Sequence, residues 1–418
     1  MKCILKSIVA LLTLSIAPII KANRLTYYRT PNWVSEPRLT NPYLSSASLY
    51  IGAGDTRLGY NQHGQEVGLL NRFGEENFRA IAQGVPSSIL NQNNNHILDD
   101  LAILSEPDFG KIKFTGDFKF TEFNLKLIQN WKYGFYTELN VPFRKFTLNN
   151  LNYLDQSNLD QIGSANATDW RNLTNNLIAN LKKYDITIDN SNFSTVGDLT
   201  LELGWTESHT NTRYLDYWDT EIKIGVIIPT ARHNCYHCPL LINPGYDGAT
   251  GFPLSFNIAA GAYEWLTIGT QITGILFPEH TKIMGIKTDL NQTGLIRLAS
   301  STVNLEPGNI WGFATYLKAD HLAWGFSAAL GYQFSKQQKT RLVLPNGSPF
   351  DCHIANTDAK LQGWHMHTIN LNLECDFASD LNHQYYPQIN LTFDLPFSGK
   401  YCLRNKMIGG TIEFNIDW

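Results

Sequence analysis

The stretch Ile408-Gly409-Gly410-Thr411-Ile412-Glu413-Phe414-Asn415-Ile416-Asp417-Trp418 alternates without a break. Ile408, Gly410, Ile412, Phe414, Ile416 and Trp418 fall on one side, and Gly409, Thr411, Glu413, Asn415 and Asp417 on the other. Successive side chains of a strand point to opposite faces, so the segment reads as a strand with one apolar and one largely polar face. The same period recurs upstream. Ile389, Leu391, Phe393, Leu395 and Phe397 alternate with polar residues, as do Ile369, Leu371, Leu373, Cys375 and Phe377, and Leu322 through Phe334. Further segments with this pattern are 309–319, 265–278, 252–263, 217–230, 196–208, 132–147 and 111–128, with a first strand at 46–58. Each has about the 9 to 11 residues that a tilted strand needs to cross a bilayer. The reading is all-β: a transmembrane antiparallel up-and-down β-barrel of twelve strands, or fourteen if 282–304 forms a further hairpin in the wall. In 111–128 the apolar set shifts from Ile112, Phe114, Phe118 and Phe120 to Phe123, Leu125 and Leu127, which predicts a β-bulge near Glu122.

Composition agrees. The 418 residues are 43% hydrophobic and 12% aromatic but only 17% charged, against roughly 25% charged in ordinary soluble domains. A mean hydropathy of -0.21 argues against a bundle of spanning helices, each of which needs about 20 apolar residues. The net charge of -4 offers no basic stripe for nucleic acid. A barrel wall with one face to lipid and one to a wet lumen has this balance.

The chain begins with Met1, Lys2 and Lys6, then a mostly apolar run from Ile8 to Ile20, then Lys21 and Ala22. Residues 1–22 therefore read as a cleaved secretory signal peptide. The remainder divides into an N-terminal segment, 23–110, with the first strand and a possible plug, and the barrel proper, 111–418. The final strand resembles the assembly signal of outer-membrane barrels, with Phe414, Ile416 and Trp418 as its apolar set, Trp418 standing where that signal usually has Phe. The resemblance implies residence in a Gram-negative outer membrane, with the lipid bilayer and the barrel-assembly machinery as partners. Strand parity then makes the connections near 129–131, 209–216, 264, 320 and 378–383 periplasmic. Those near 148–195, 231–251, 279–308, 338–360 and 398–405 become external, so the long loops lie mostly outside.

Two segments have helical spacing: Glu75 to Gln83, and Asp169 to Tyr184 with Thr168 as its cap. Both read as short helices, either capping an exposed loop or folding into the barrel. With the polar strand faces turned inward, the lumen carries Asp117, Glu138, Asp198, Glu202, Asp219, Glu221, Glu374, Asp376, Asp394, Glu413 and Asp417. Against them stand Lys113, Lys119, Lys223 and Lys318. A carboxylate surplus in a narrow wet passage favours cations and neutral solutes over anions. The expected function is passive or facilitated passage of a small solute. The alternative is a structural or surface-interaction barrel without transport.

No nucleophile elbow, zinc-protease helix or phosphate-binding loop motif occurs, and no cofactor is implied. An outer-membrane hydrolase would need a serine beside His365 or His367, and the sequence has no His-x-Ser pattern there, so the chain reads as a non-enzyme. Cys235, Cys238, Cys352 and Cys402 all fall in predicted external loops, where oxidising conditions permit disulfides, while Cys375 points to lipid. His233, Cys235, His237 and Cys238 have zinc-ligand chemistry but no distant second pair, so disulfides are the reading and no metal is expected.

One family resemblance rests on Val196-Gly197-Asp198-Leu199-Thr200-Leu201 followed by Trp205, on Ile224-Gly225-Val226-Ile227-Ile228-Pro229-Thr230, and on Leu254 to Tyr263. These segments resemble outer-membrane proteins associated with meta-pathway phenol degradation, relatives of the long-chain fatty-acid transporter type of barrel. The pattern has a glycine after the Pro-Thr pair, where this chain has Ala231. The resemblance implies uptake of small, often apolar molecules and an N-terminal segment folded into the lumen, which suits 61–110.

Overall fold

Strand pairing closes on itself. Twelve strands form the wall: β1 (Ser45–Thr56), β2 (Lys111–Asn130), β3 (Phe135–Asp155), β4 (Leu199–Thr210), β5 (Tyr217–Ile228), β6 (Phe252–Gly261), β7 (Leu266–Leu276), β8 (Ile310–Ala323), β9 (Phe326–Gln337), β10 (His365–Asp376), β11 (Tyr385–Lys400) and β12 (Lys406–Ile416). In this computed structural model the residues described are 45–84, 110–157, 164–210, 215–231, 237–261, 265–323, 325–376 and 385–416. β1 lies between β12 and β2, antiparallel to both, and every other strand pairs antiparallel with its sequence neighbours. No wall strand is left with an unpaired edge, which is what a sheet inside lipid requires. Among the described residues no helix is long and apolar enough to cross a membrane.

Connections at one end are short: 131–134, 211–216, 262–265, 324–325 and 377–384. At the other end they are long: 57–110, 156–198, 229–251, 277–309 and 338–364, with 401–405 the exception. We call these the turn end and the loop end. The outer face is a belt of exposed apolar side chains, among them Leu127, Phe143, Leu203, Ile272, Leu330 and Ile412. Trp131 and Trp265 stand exposed at the turn end, where aromatic residues flank the belts of such barrels.

Residues 280–306 do form a hairpin, but it is not part of the wall. Strands His280–Gly285 and Ser300–Glu306 pair, and Arg341–Val343 adds a third strand. They are too short to span a bilayer, and Met284, Val303, Leu305 and Leu342 bury a small core of their own against Ala355 and Leu361. The barrel count is therefore twelve.

The register shift of β2 lies between Thr115 and Asp117 rather than at Glu122. The extra residue there is on β3, Thr115 pairing with Asn152 and Asp117 with Asn149. β2 keeps one alternation from Ile112 to Asn130, so Phe114, Phe118 and Phe120, each at most 2% exposed, face inward with Glu122 while Lys113, Asp117 and Lys119 lie on the opposite face. Asp117 there pairs with the exposed Arg57 at 2.6 Å. The helical segments are α1 (Phe78–Gly84), α2 (Ser164–Asn175) and α3 (Leu177–Lys182). α2 starts before the predicted cap at Thr168, and Trp170, Leu173, Leu177 and Leu181 are buried. A fourth helix, α4 (Cys352–Asn356), is capped by the Asp351 carboxylate, which accepts from His353 N.

Inward tyrosines lie flat on cross-strand glycines. The Tyr136 ring covers Gly204 on β4, and the Tyr316 ring covers Gly269 on β7, each where a Cβ would stand. Tyr136 also donates to the Glu221 carboxylate, so the packing fixes a polar group of the lumen. Gly204→Val should displace the ring and cost about 1–3 kcal/mol as an overpacked site. The check is the temperature at which the folded band converts to the boiled form on a detergent gel, which should fall in the variant while remaining resolvable.

Candidate functional site

Below the loop end the lumen holds a cavity of about 470 Å³. It is lined by the carboxyl groups of Glu122, Glu138, Asp198, Glu202, Glu221, Glu374 and Glu413, the cations Lys126, Arg144 and Lys223, and carboxamides including Asn124, Asn372 and Asn390. One wall is a charged lattice. Glu138 lies 3.7 Å from Lys126 and 3.8 Å from Lys223, Lys223 lies 3.9 Å from Glu221, and Glu122 lies 3.4 Å from Arg144. Asn140 donates to Glu138 at 2.7 Å and Asn257 donates to Glu221. Near the turn end Lys318 reaches Asp320 at 2.9 Å and Glu374 at 3.3 Å.

The residues read from the sequence thus separate. Glu138, Asp198, Glu202, Glu221, Lys223, Glu374 and Glu413 line the cavity. Asp394 holds Asn370 at 2.5 Å, Asp219 is buried on β5 outside the cavity, and Asp376 ends β10. Lys113, Asp117 and Lys119 do not line it. Glu122, Lys126 and Arg144 were missed. The alternation that carries Glu138 inward also carries Arg144, and Glu122 and Lys126 follow because β2 alternates without a break from Ile112 to Asn130. Phe414 is exposed on the outer face and Ile416 ends β12, while Trp418 lies outside the described residues.

Asp198 does more than line the lumen. It sits in the break between strand Ser191–Val196 and β4, which both pair with β3, and Gly197 N donates to Pro142 O at 2.7 Å. Its carboxylate accepts from Ala231 N at 3.0 Å and Tyr246 N at 2.5 Å, while Arg144 donates to Pro244 O. These bonds draw the loop after β5 inward and set Tyr246 against the cavity roof.

Above that roof the mouth is filled. Leu69, Leu70, Phe73, Phe78 and Ile81 from the connection after β1 join Trp170, Leu173, Leu240, Ile242, Leu295, Ile296, Trp364 and Leu403 in one apolar cluster with the inward ends of the strands, including Phe114, Phe118, Phe146 and Met366. Of the suspected plug, 61–110, the described residues 61–84 therefore pack across the mouth. A buried charge cluster ties three loops of this lid together. Glu76 accepts from Leu295 N at 2.5 Å and Ile296 N at 3.1 Å, and Arg297 holds Asp358 through two bonds of 2.9 Å. Lys360 donates to Leu295 O at 3.2 Å.

Burial shifts these groups. Burial raises the Glu76 carboxyl, opposed by the two backbone N–H bonds, and lowers Lys360 to about 8 against the pull of Asp358. For Asp358 burial pushes upward, but the Arg297 guanidinium and Lys360 overcome it and hold the carboxyl at about 2.

The cysteine pairing is corrected in part. Cys352 is exposed on α4 and Cys402 is buried with its Sγ toward His365 O at 3.2 Å, and both are free thiols, as is Cys375. Burial raises the Cys402 thiol to about 12, which suppresses its thiolate. Cys235 lies outside the described residues. On the outer face His367 Nδ1 meets the Tyr332 hydroxyl at 2.7 Å, and among the described residues no hydrogen bond joins His365 or His367 to a serine.

No protein-family model and no curated protein sequence matches the chain. Among solved structures it is similar to an outer membrane channel from Pseudomonas putida F1, at 10% identity over 93% of this chain and 99% of that one, with a TM-score of 0.48. It is also similar to the toluene transporter TodX of Pseudomonas putida, at 11% identity over 96% of each chain and a TM-score of 0.34. The translocator domain of the autotransporter NalP from Neisseria meningitidis matches at 8% identity over 91% of this chain and 90% of that one, with a TM-score of 0.36. Likeness at this level assigns no solute.

Arg297→Ala strands a buried carboxylate, a change that typically costs about 3–5 kcal/mol. Amide exchange at 76–84 and 295–299 should rise in this variant while the gel shift of the barrel persists. In the parent chain the same amides report acidification. Asp358 has its folded value below the unfolded 3.8, so its contribution is full above that pH and drains away as pH falls toward 2. Glu76 has the opposite sign, since taking up a proton relieves its burial. Protection at 295–299, taken relative to the intrinsic exchange rate at each pH, should therefore hold steady near pH 5 and fall between pH 3.8 and 2.

Proposed function

We propose that the chain is an outer-membrane barrel that passes a small water-soluble solute, neutral or cationic, and that the lid at the loop end is its gate. The observation that carries this reading is the carboxylate-rich cavity enclosed by a wall with an apolar outer belt. A wall of that kind is stable in lipid, and the surplus of carboxylates over cations in the cavity disfavours anions. In the outer membrane the turn end faces the periplasm and the lid faces outward. Export through the signal peptide at 1–22 and insertion by the barrel-assembly machinery are part of the same proposal, and no catalytic step is included.

The gate follows from chemistry. The mouth is apolar and closely filled, so a hydrated solute enters only when loops move. The loops are held by a few buried charges, which can let go together. The alternative, a barrel that serves only in structure or surface contact, draws support from the same closure, because a lid that never opens leaves no passage.

Planar-bilayer recordings separate the two. The parent chain should give rare, small openings, and Arg297→Ala should open far more often. A KCl gradient should then give a reversal potential of the sign for cation preference, and Glu202→Gln with Glu413→Gln should reduce it. Absence of conductance and of liposome swelling in both the parent chain and Arg297→Ala would leave the non-transporting barrel as the reading.

A further inference from the structure

Near the loop end of β9, β10 and β11, three cationic or potentially cationic side chains stand side by side on the outer face. Lys336 is directly opposite His365 across one strand pair, and His365 is directly opposite Lys400 across the next. Inward residues alternate with them, Ser335 and Met366 being buried, so all three point away from the lumen. Like charges directly opposite one another on a sheet repel. The charged or titratable groups acting on His365 are His367, Lys400 and Lys336, with no carboxylate among them. None of the three takes part in an ion pair among the described residues, and Lys400 lies instead over the Tyr401 ring at 5.4 Å.

Height gives the row its meaning. From Phe326 at the turn end to Lys336 the strand advances ten residues. At about 3.3 Å per residue and a tilt of about 40°, that is roughly 25 Å along the barrel axis, the height of the apolar band of membrane barrels. Lys336, His365 and Lys400 thus stand at the far interface. Immediately below them are rings suited to the boundary of the hydrocarbon. Phe334 lies 4.9 Å and Phe397 6.0 Å from His367, and Tyr332 is hydrogen-bonded to that imidazole.

We propose that this row is a docking site for a phosphorylated glycolipid headgroup of the outer leaflet, whose phosphate lies across Lys336, His365 and Lys400 while its acyl chains run down past Phe334 and Phe397. The site rests on the outer-membrane placement proposed above but not on transport. A phosphate supplies the negative charge that the row lacks, and the aromatic surface below it selects a lipid over a free anion. Basic residues at a membrane surface are worth about a factor of five each toward anionic lipid.

The test uses the full-length barrel in detergent, with its fold checked by gel shift in every sample. Bisphosphorylated lipid A, its dephosphorylated counterpart and inorganic phosphate are added separately, and bound lipid and the thermal conversion temperature are read. Bisphosphorylated lipid A should bind and raise that temperature, and the other two should not. Lys336→Ala with Lys400→Ala should weaken binding on the order of twenty-fold, and Lys336→Arg with Lys400→Arg should retain it. Equal binding by the alanine variant, equal binding of the dephosphorylated lipid, or an equal effect of inorganic phosphate would each overturn the proposal. Because none of these readouts involves conductance, their outcome is independent of whether the lumen passes a solute.

Discussion

The constraint on which the structure depends is the pairing of β1 with both β12 and β2. Strands separated by most of the chain complete one hydrogen-bond ladder, Ser45 facing Ile416 on one side and Gln129 on the other. In hydrocarbon a free backbone N–H or C=O has no water to turn to, and each costs several kcal/mol. A wall open at β1 would expose a whole strand edge, so closure is a condition of existence in lipid rather than an added stabilisation. Once the ring is closed, every wall residue must face either lipid or lumen, and the two-residue period becomes a partition between two solvents.

That partition explains why so much of the fold was legible. The alternation from Ile408 to Ile416 assigns faces with no knowledge of what β12 touches, and the same holds for β10 and β11. It also explains where the reading failed. Phe114, Phe118 and Phe120 look like lipid-facing residues because apolar side chains in a barrel wall ordinarily are. They turn inward because Leu70, Phe73 and Phe78, far away in the sequence, give them a dry partner at the mouth. A rule with two solvents has no entry for a third environment, the interior of a lid. The misplacing of Lys113, Asp117 and Lys119 is the same error seen from the other face.

The candidate site was legible in its chemistry but not in its connections. Alternation brings Glu138, Glu202, Glu221 and Lys223 into the lumen, yet the pairing of Glu138 with Lys126 and Lys223 depends on strand register and on how side chains meet across the barrel. Asp198 is the sharpest case. Its sequence context marks a polar lumen residue, whereas its two backbone bonds to Ala231 and Tyr246 make it an anchor for a loop. Such bonds depend on where loop backbone comes to rest, and loops have no period to read.

Two closures of different chemistry are stacked in one barrel. The lumen wall is held by charge pairs 3.4 to 3.9 Å apart in which carboxylates are shared, Glu221 among Lys223, Tyr136 and Asn257 and Glu138 among Lys126, Lys223 and Asn140. The lid is held by apolar packing around a few fully buried charges, Glu76, Arg297, Asp358 and Lys360, which are at short range and have no water to replace a lost partner. A carboxylate with several polar partners can lose one and keep the others, so the lumen lattice can rearrange one pair at a time. A buried charge cluster cannot be half dismantled, because removing one member leaves the others unpaired in a dry site. The lid should therefore behave as a two-state element. This difference in cooperativity, more than any difference in width, separates the lumen wall from the lid.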